Sequence, residues 1–107
     1  MSKYTPDRWV IVDVAYEDET IQKVFSGNYG GYLGSDTWKL SSGITKITDN
    51  GDHYEFLNES GSVYICYKQC YGMSNYMMSM YEYWDKNAKD SKNDSASINI
   101  VEGYDEK

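Results

Sequence analysis

The chain has 107 residues, a length that points to one domain, residues 1–107, built on one core with short flexible termini. Only 40% of it is apolar, but three Trp, two Phe and twelve Tyr fall within that fraction, so aromatic side chains rather than aliphatic ones are expected to build the core. Seventeen acidic residues against ten Lys and Arg leave a formal charge of -7, which repels nucleic-acid backbones and anionic membranes and argues against direct binding to either.

The opening residues, Met1 to Pro6, contain no apolar run of the kind a signal peptide needs, and no segment approaches a membrane span. A cytosolic protein is the expectation. Cys66 and Cys70 are then reduced thiols, and the Asn-x-Ser sequences at Asn58 and Asn93 carry no glycan.

Arg8 to Tyr16 reads RWVIVDVAY, with Val10, Val12 and Val14 alternating with Trp9, Ile11 and Asp13, and predicts a β-strand. Glu17-Asp18-Glu19 follows as a charged turn, and Thr20 to Ser26 returns as a second strand. Gly27 to Asp36 packs four glycines with Tyr29 and Tyr32 and reads as a loop. Trp38 and Leu40 share a face of a short strand, and Ser41-Ser42-Gly43 interrupts it. Ile44 to Thr48 and the run from His53 to Leu57 flank Asp49-Asn50-Gly51-Asp52, a strong hairpin turn. A second turn at Asn58 to Gly61 leads to a strand over Ser62 to Lys68.

From Ser74 to Lys89 the spacing changes, and Met77, Met80, Tyr81, Trp84 and Ala88 line one face of an amphipathic helix that Ser74 can cap. Asp90 to Ser97 is polar and loop-like. Ile98, Ile100 and Val101 mark a last strand. Strands in succession with a single helix predict an α+β fold, an antiparallel, meander-rich sheet of about five to six strands with the helix packed on one face.

No catalytic or metal-binding motif stands out. The glycine-rich segment lacks the Gly-Lys-Ser/Thr of a P-loop, and no helix pattern follows it. Cys66 and Cys70 are separated by three intervening residues, not two, and His53 is the sole histidine, so a metal site is not expected, nor is any cofactor. His53 with either cysteine or a serine would make a nucleophilic pair only without the usual surrounding motif. Asp49, Asp52 and Glu55 are close in sequence, but the first two sit in a turn that they stabilise. A non-enzymatic role is the expectation.

Binding is more economical. Tyr29 and Tyr32 offer large contact area at low entropic cost. Tyr76, Tyr83 and Met73 fall off the helix's apolar stripe and exceed what one face can bury, which marks an interaction surface open to a foreign partner or a second copy of the chain. Acidic groups at Glu17, Asp18 and Glu19 would suit a basic partner if they lay beside the tyrosines. The expected contacts are therefore Tyr29, Tyr32, Glu17, Asp18 and Glu19. The alternative is a protein that sequesters a small molecule or nucleotide with the Gly/Tyr-rich loop.

The stretch GGYLGSDTWKLSSGI, the DNGD turn, and then SGSVYICYK and YGMS resemble small uncharacterised early proteins of tailed bacteriophages. The resemblance covers about a third of the chain, in glycines and aromatics rather than chemistry. It implies a phage-encoded protein in the host cytoplasm that binds and inhibits a host enzyme or defence complex; independently of the resemblance, acidic residues gathered on one face would imitate phosphates and suit a partner with a basic nucleic-acid-binding groove. The resemblance supplies no functional residue.

Overall fold

In a computed structural model, residues 2–16, 18–30, 36–90 and 96–104 are described, with the side chains of Tyr16, Ala96 and residues 87–90 left aside. The described residues form eight strands and one α-helix: β1 (Lys3–Tyr4), β2 (Arg8–Tyr16), β3 (Glu19–Asn28), β4 (Thr37–Leu40), β5 (Ile44–Asp49), β6 (His53–Asn58), β7 (Val63–Tyr67), α1 (Asn75–Asp90) and β8 (Ala96–Ile100). A single 3-10 turn, Lys68–Cys70, follows β7.

The strands make two four-stranded sheets. The central sheet runs β4-β3-β2-β8, antiparallel throughout. The outer sheet runs β1-β7-β6-β5, antiparallel except for the short β1, which lies parallel to β7.

The sequence of β2 explains this arrangement. Successive side chains of a strand point to opposite faces, and β2 is apolar on both. Trp9 and Ile11 face the outer sheet and pack with Val24, Phe56, Tyr64 and Cys66. Val10 and Val12 face the other way and pack with Phe25, Ile98 and Met77 of α1. The central sheet is thus covered twice, by a sheet and by a helix, and the molecule has three layers. This corrects the expectation of one sheet of five to six strands: the expected hairpins form, but they divide between two sheets.

Trp9 is the hub of the inter-sheet core. Fully buried, it removes roughly 150–250 Å² from water, worth up to about 4–6 kcal/mol by area. Its indole N–H donates to the Tyr67 carbonyl at 2.7 Å, so no polar group is sacrificed. Tyr54, Phe56, Tyr71 and Tyr104 surround its ring at centroid distances of 5.1–6.0 Å. A second aromatic group, Phe25, Trp38 and Trp84, joins the central sheet to α1.

The chain changes sheets at Ser41–Gly43. Ser41 extends the edge of β3, its N–H donating to the Val24 carbonyl at 2.9 Å while its hydroxyl accepts the Val24 N–H at 2.8 Å. The β5–β6 turn takes the expected form, with Gly51 at φ 94°, a region that favours glycine, and its N–H held by Asp49 Oδ1. Ser74 caps α1 as its position predicted, accepting the Met77 N–H at 3.2 Å. Met77, Met80, Tyr81 and Trp84 all pack on the central sheet. Ala88, predicted on the same face, has its side chain outside the description.

Candidate functional site

The expected contact residues do not form one surface. Asp18 and Glu19 are exposed at the β2–β3 turn. Tyr29 lies just beyond the other end of β3, which spans ten residues. At about 3.3 Å per residue, roughly 30 Å separates the acidic turn from Tyr29. Glu17 and Tyr32 lie outside the described residues.

Tyr29 is held firmly at its base. Its backbone N–H donates to Asp7 Oδ2 at 2.9 Å, and the Asp7 N–H donates to Asn28 Oδ1 at 3.2 Å, a reciprocal clip between the chain entering β2 and the chain leaving β3. The Arg8 Nε–H donates to the Tyr29 hydroxyl at 2.9 Å. The Gly30 N–H donates to Asp36 Oδ1 at 2.7 Å, closing the neck of the glycine-rich segment. Half of Tyr29 stays exposed.

The face that Tyr29 occupies follows from register. Arg8 pairs with Gly27 and shares its face of β2 with Val10 and Val12, the side covered by α1. Gly27 lies directly under Met77 and Ser74. Tyr29 therefore borders the end of the central sheet where α1 begins, and Tyr76 sits in the first turn of that helix.

Tyr76, Met80 and Tyr83 follow one another at i, i+4 and i+7 and form a line along α1. Tyr81 turns the opposite way, its hydroxyl donating to the Ile98 carbonyl of β8 at 3.3 Å. The Tyr76–Met80–Tyr83 line accordingly faces the β4 edge. Met80 is partly buried against the core, whereas Tyr76 and Tyr83 are 40% and 60% exposed. Met73, also off the stripe, is half-buried against the same core. The sequence signal for Tyr76 and Tyr83 was their position beside the apolar stripe, yet they were not among the expected contacts.

The polar constellation around His53 is of another kind. His53 Nδ1 is 2.6 Å from Asp52 Oδ1, and Nε2 is 3.4 Å from Glu55 Oε2. The hydrogen bond to Asp52 pushes the imidazole above its ordinary value; burial opposes it, and Glu55 adds a smaller upward push. Nε2 is also 3.3 Å from Asn50 Nδ2, so both ring nitrogens are engaged within the hairpin. Nearby, Lys68 Nζ bonds Asp49 at 2.9 Å, which with the Gly51 N–H holds that carboxyl below its usual range.

Register also separates His53 from the buried thiol. His53 pairs with Tyr67, while Tyr54 pairs with Cys66. Since Cys66 points into the inter-sheet core, His53 and Cys66 occupy opposite faces of the outer sheet. Burial pushes the Cys66 thiol far up, so it packs as a small apolar residue. Both cysteines are free. No group of three or more metal-ligating side chains occurs among the described residues, and no described helix is long and apolar enough to cross a membrane.

Comparison with known protein families, with curated protein sequences and with solved structures finds no match to this chain.

Proposed function

We propose that the chain is a non-enzymatic protein-binding module whose contact surface is the tyrosine-bearing flank of α1 together with Tyr29. One observation carries this reading. Of the five large apolar side chains exposed among the described residues, Tyr29, Tyr76, Met78 and Tyr83 lie on the helix-covered side of the central sheet, and only Ile47 lies on the outer sheet. Exposed tyrosines gathered on one side are typical of interface cores, where they bring contact area with little entropy loss.

The acidic β2–β3 turn stands apart from this surface. Its charge, and the total of -7, steer a basic partner at long range rather than make the central contact. Together with the resemblance to early phage proteins, this favours a host protein in the bacterial cytoplasm as partner, a basic enzyme or defence complex that the chain inhibits.

Affinity capture from bacterial lysate with three forms of the protein tests the proposal. The native chain and a variant with Asp18→Lys and Glu19→Lys retain a common partner at physiological salt, whereas Tyr76→Ala with Tyr83→Ala loses it. A partner retained by the tyrosine variant, or no specific partner for any form, contradicts the reading.

A further inference from the structure

A cleft of about 480 Å³ opens where β1 meets the β4–β5 crossing and the β6–β7 turn. That volume falls within the range of about 300–1,000 Å³ usual for small-ligand sites. Its lining residues are almost all hydroxyl-bearing: five serines from three separate segments, Tyr4, Tyr64, and a single apolar residue, Leu40. In a chain of net charge -7, no carboxylate, ammonium or guanidinium of the described residues lines it.

The hydroxyls can be counted. Ser41 has its one proton committed to the Ser42 carbonyl and accepts from the Val24 N–H. Ser42, Ser60 and Ser62 form a chain, with Oγ–Oγ distances of 3.1 Å and 3.0 Å, and Ser42 Oγ also accepts the Ser60 N–H at 3.1 Å. Three hydroxyl protons serve two bonds within that chain, so one donor and several lone pairs are left over. Hydroxyls bonded in series polarise one another, which strengthens the terminal donor.

Tyr64 is almost completely buried beside Tyr4, with ring centroids 5.0 Å apart. Burial and, after it, the neighbouring Tyr4 raise its pKa. At the edge, Lys39 Nζ stands 3.9 Å from the centroid of the Tyr4 ring. It covers that ring and does not line the cleft.

We propose that this cleft binds a neutral polyhydroxyl ligand, a mono- or disaccharide, through the Ser42–Ser60–Ser62 hydroxyls together with Tyr4 and Tyr64. An uncharged wall of paired donors and acceptors matches the alternating donors and acceptors of a sugar. Among the described residues that line it there is no cation to hold a phosphate, no anion to hold an amine and little surface for an apolar ligand. The site shares no residue with the tyrosine flank and does not depend on it.

Amide chemical-shift mapping with glucose, maltose and inorganic phosphate is the test. At ~10 mM, about ten times a millimolar Kd, a saccharide produces saturable shifts confined to Tyr4, Ser42, Ser60–Ser62 and Tyr64. Phosphate produces none. Ser42→Ala and Ser62→Ala each weaken saccharide binding by about 2- to 10-fold, as the loss of one hydrogen bond implies, while Tyr83→Ala leaves it unchanged. Absence of saturable shifts with either saccharide overturns the proposal. So does a response to phosphate alone, and so does saccharide binding that survives both serine substitutions undiminished.

Discussion

Replacing Gly27 by Ala probes the layer on which the tyrosine flank rests. A Cβ at position 27 would lie 2.5 Å from Met77 Sδ, 2.8 Å from Met77 Cγ and 3.4 Å from Ser74 Oγ. Ordinary contacts between such atoms are near 3.5–4.0 Å, so the new methyl must push the fully buried Met77 aside by about 1 Å. Overpacking of this kind costs about 1–3 kcal/mol, and the reduced freedom of the unfolded chain returns about 0.4–1 kcal/mol. The expected net loss is about 1–2 kcal/mol, or a fall in Tm of about 4–8 °C per kcal/mol for a domain of this size.

Met77→Ala alone should cost about 2–5 kcal/mol by leaving a cavity. In the double variant the methyl added at position 27 enters part of that space, so the combined loss is smaller than the sum by about 1 kcal/mol. Urea unfolding of the native protein, both single variants and the double variant, with unchanged m-values, measures the cycle. A neutral Gly27→Ala, or additivity within about 0.3–0.5 kcal/mol, would refute the docking of α1 over β3 and with it the position of Tyr76 and Tyr83.

Ser74→Ala removes the cap of α1 and should cost about 1 kcal/mol, read as a lower Tm with unchanged fold; an unchanged Tm contradicts the capping role. The His53 ring should titrate by NMR above its ordinary 6.5, and Asp52→Asn should bring it back toward that value. Because the folded value is the raised one, the stability this group adds is complete below about 6.5 and is lost as pH rises through the folded pKa; a native midpoint at or below 6.5 contradicts the paired geometry. Iodoacetamide should alkylate the partly buried Cys70 well before Cys66, whose burial disfavours the thiolate; equal rates in the native state contradict the packing around Cys66.

Much of the fold was legible because its signals are local. The β2 boundaries follow from alternation, the β5–β6 hairpin from Asp49-Asn50-Gly51-Asp52, and α1 from the change of period after Ser74. What the sequence does not encode locally is which hairpin pairs with which. Ser41-Ser42-Gly43 reads as an interruption, and only tertiary contacts make it a crossing between sheets. β1 is two residues long, too short for any periodicity, and its parallel pairing with β7 joins distant parts of the chain. The apolar character of both faces of β2 was the one sign of a strand covered twice.

The candidate surface was legible in part. Tyr76 and Tyr83 stand beside the apolar stripe in any helical projection, and their exposure follows from that. The separation of the acidic turn from Tyr29 was implicit as well, since a strand from Thr20 to Ser26 already holds them apart by its own length. Whether Tyr29 faces α1 or the outer sheet depends on the register of β3 against β2, which only the paired strands supply. The serine cleft left no sequence signal, because its walls come from segments that meet only after folding.

Hydroxyl-radical footprinting of the protein alone and in complex with its captured partner decides whether the tyrosine flank is the contact surface. Binding should protect Tyr29, Tyr76 and Tyr83 and leave Ile47 on the outer sheet unchanged. Protection of Ile47 with those three tyrosines left as reactive as in the free protein would contradict that role for the flank.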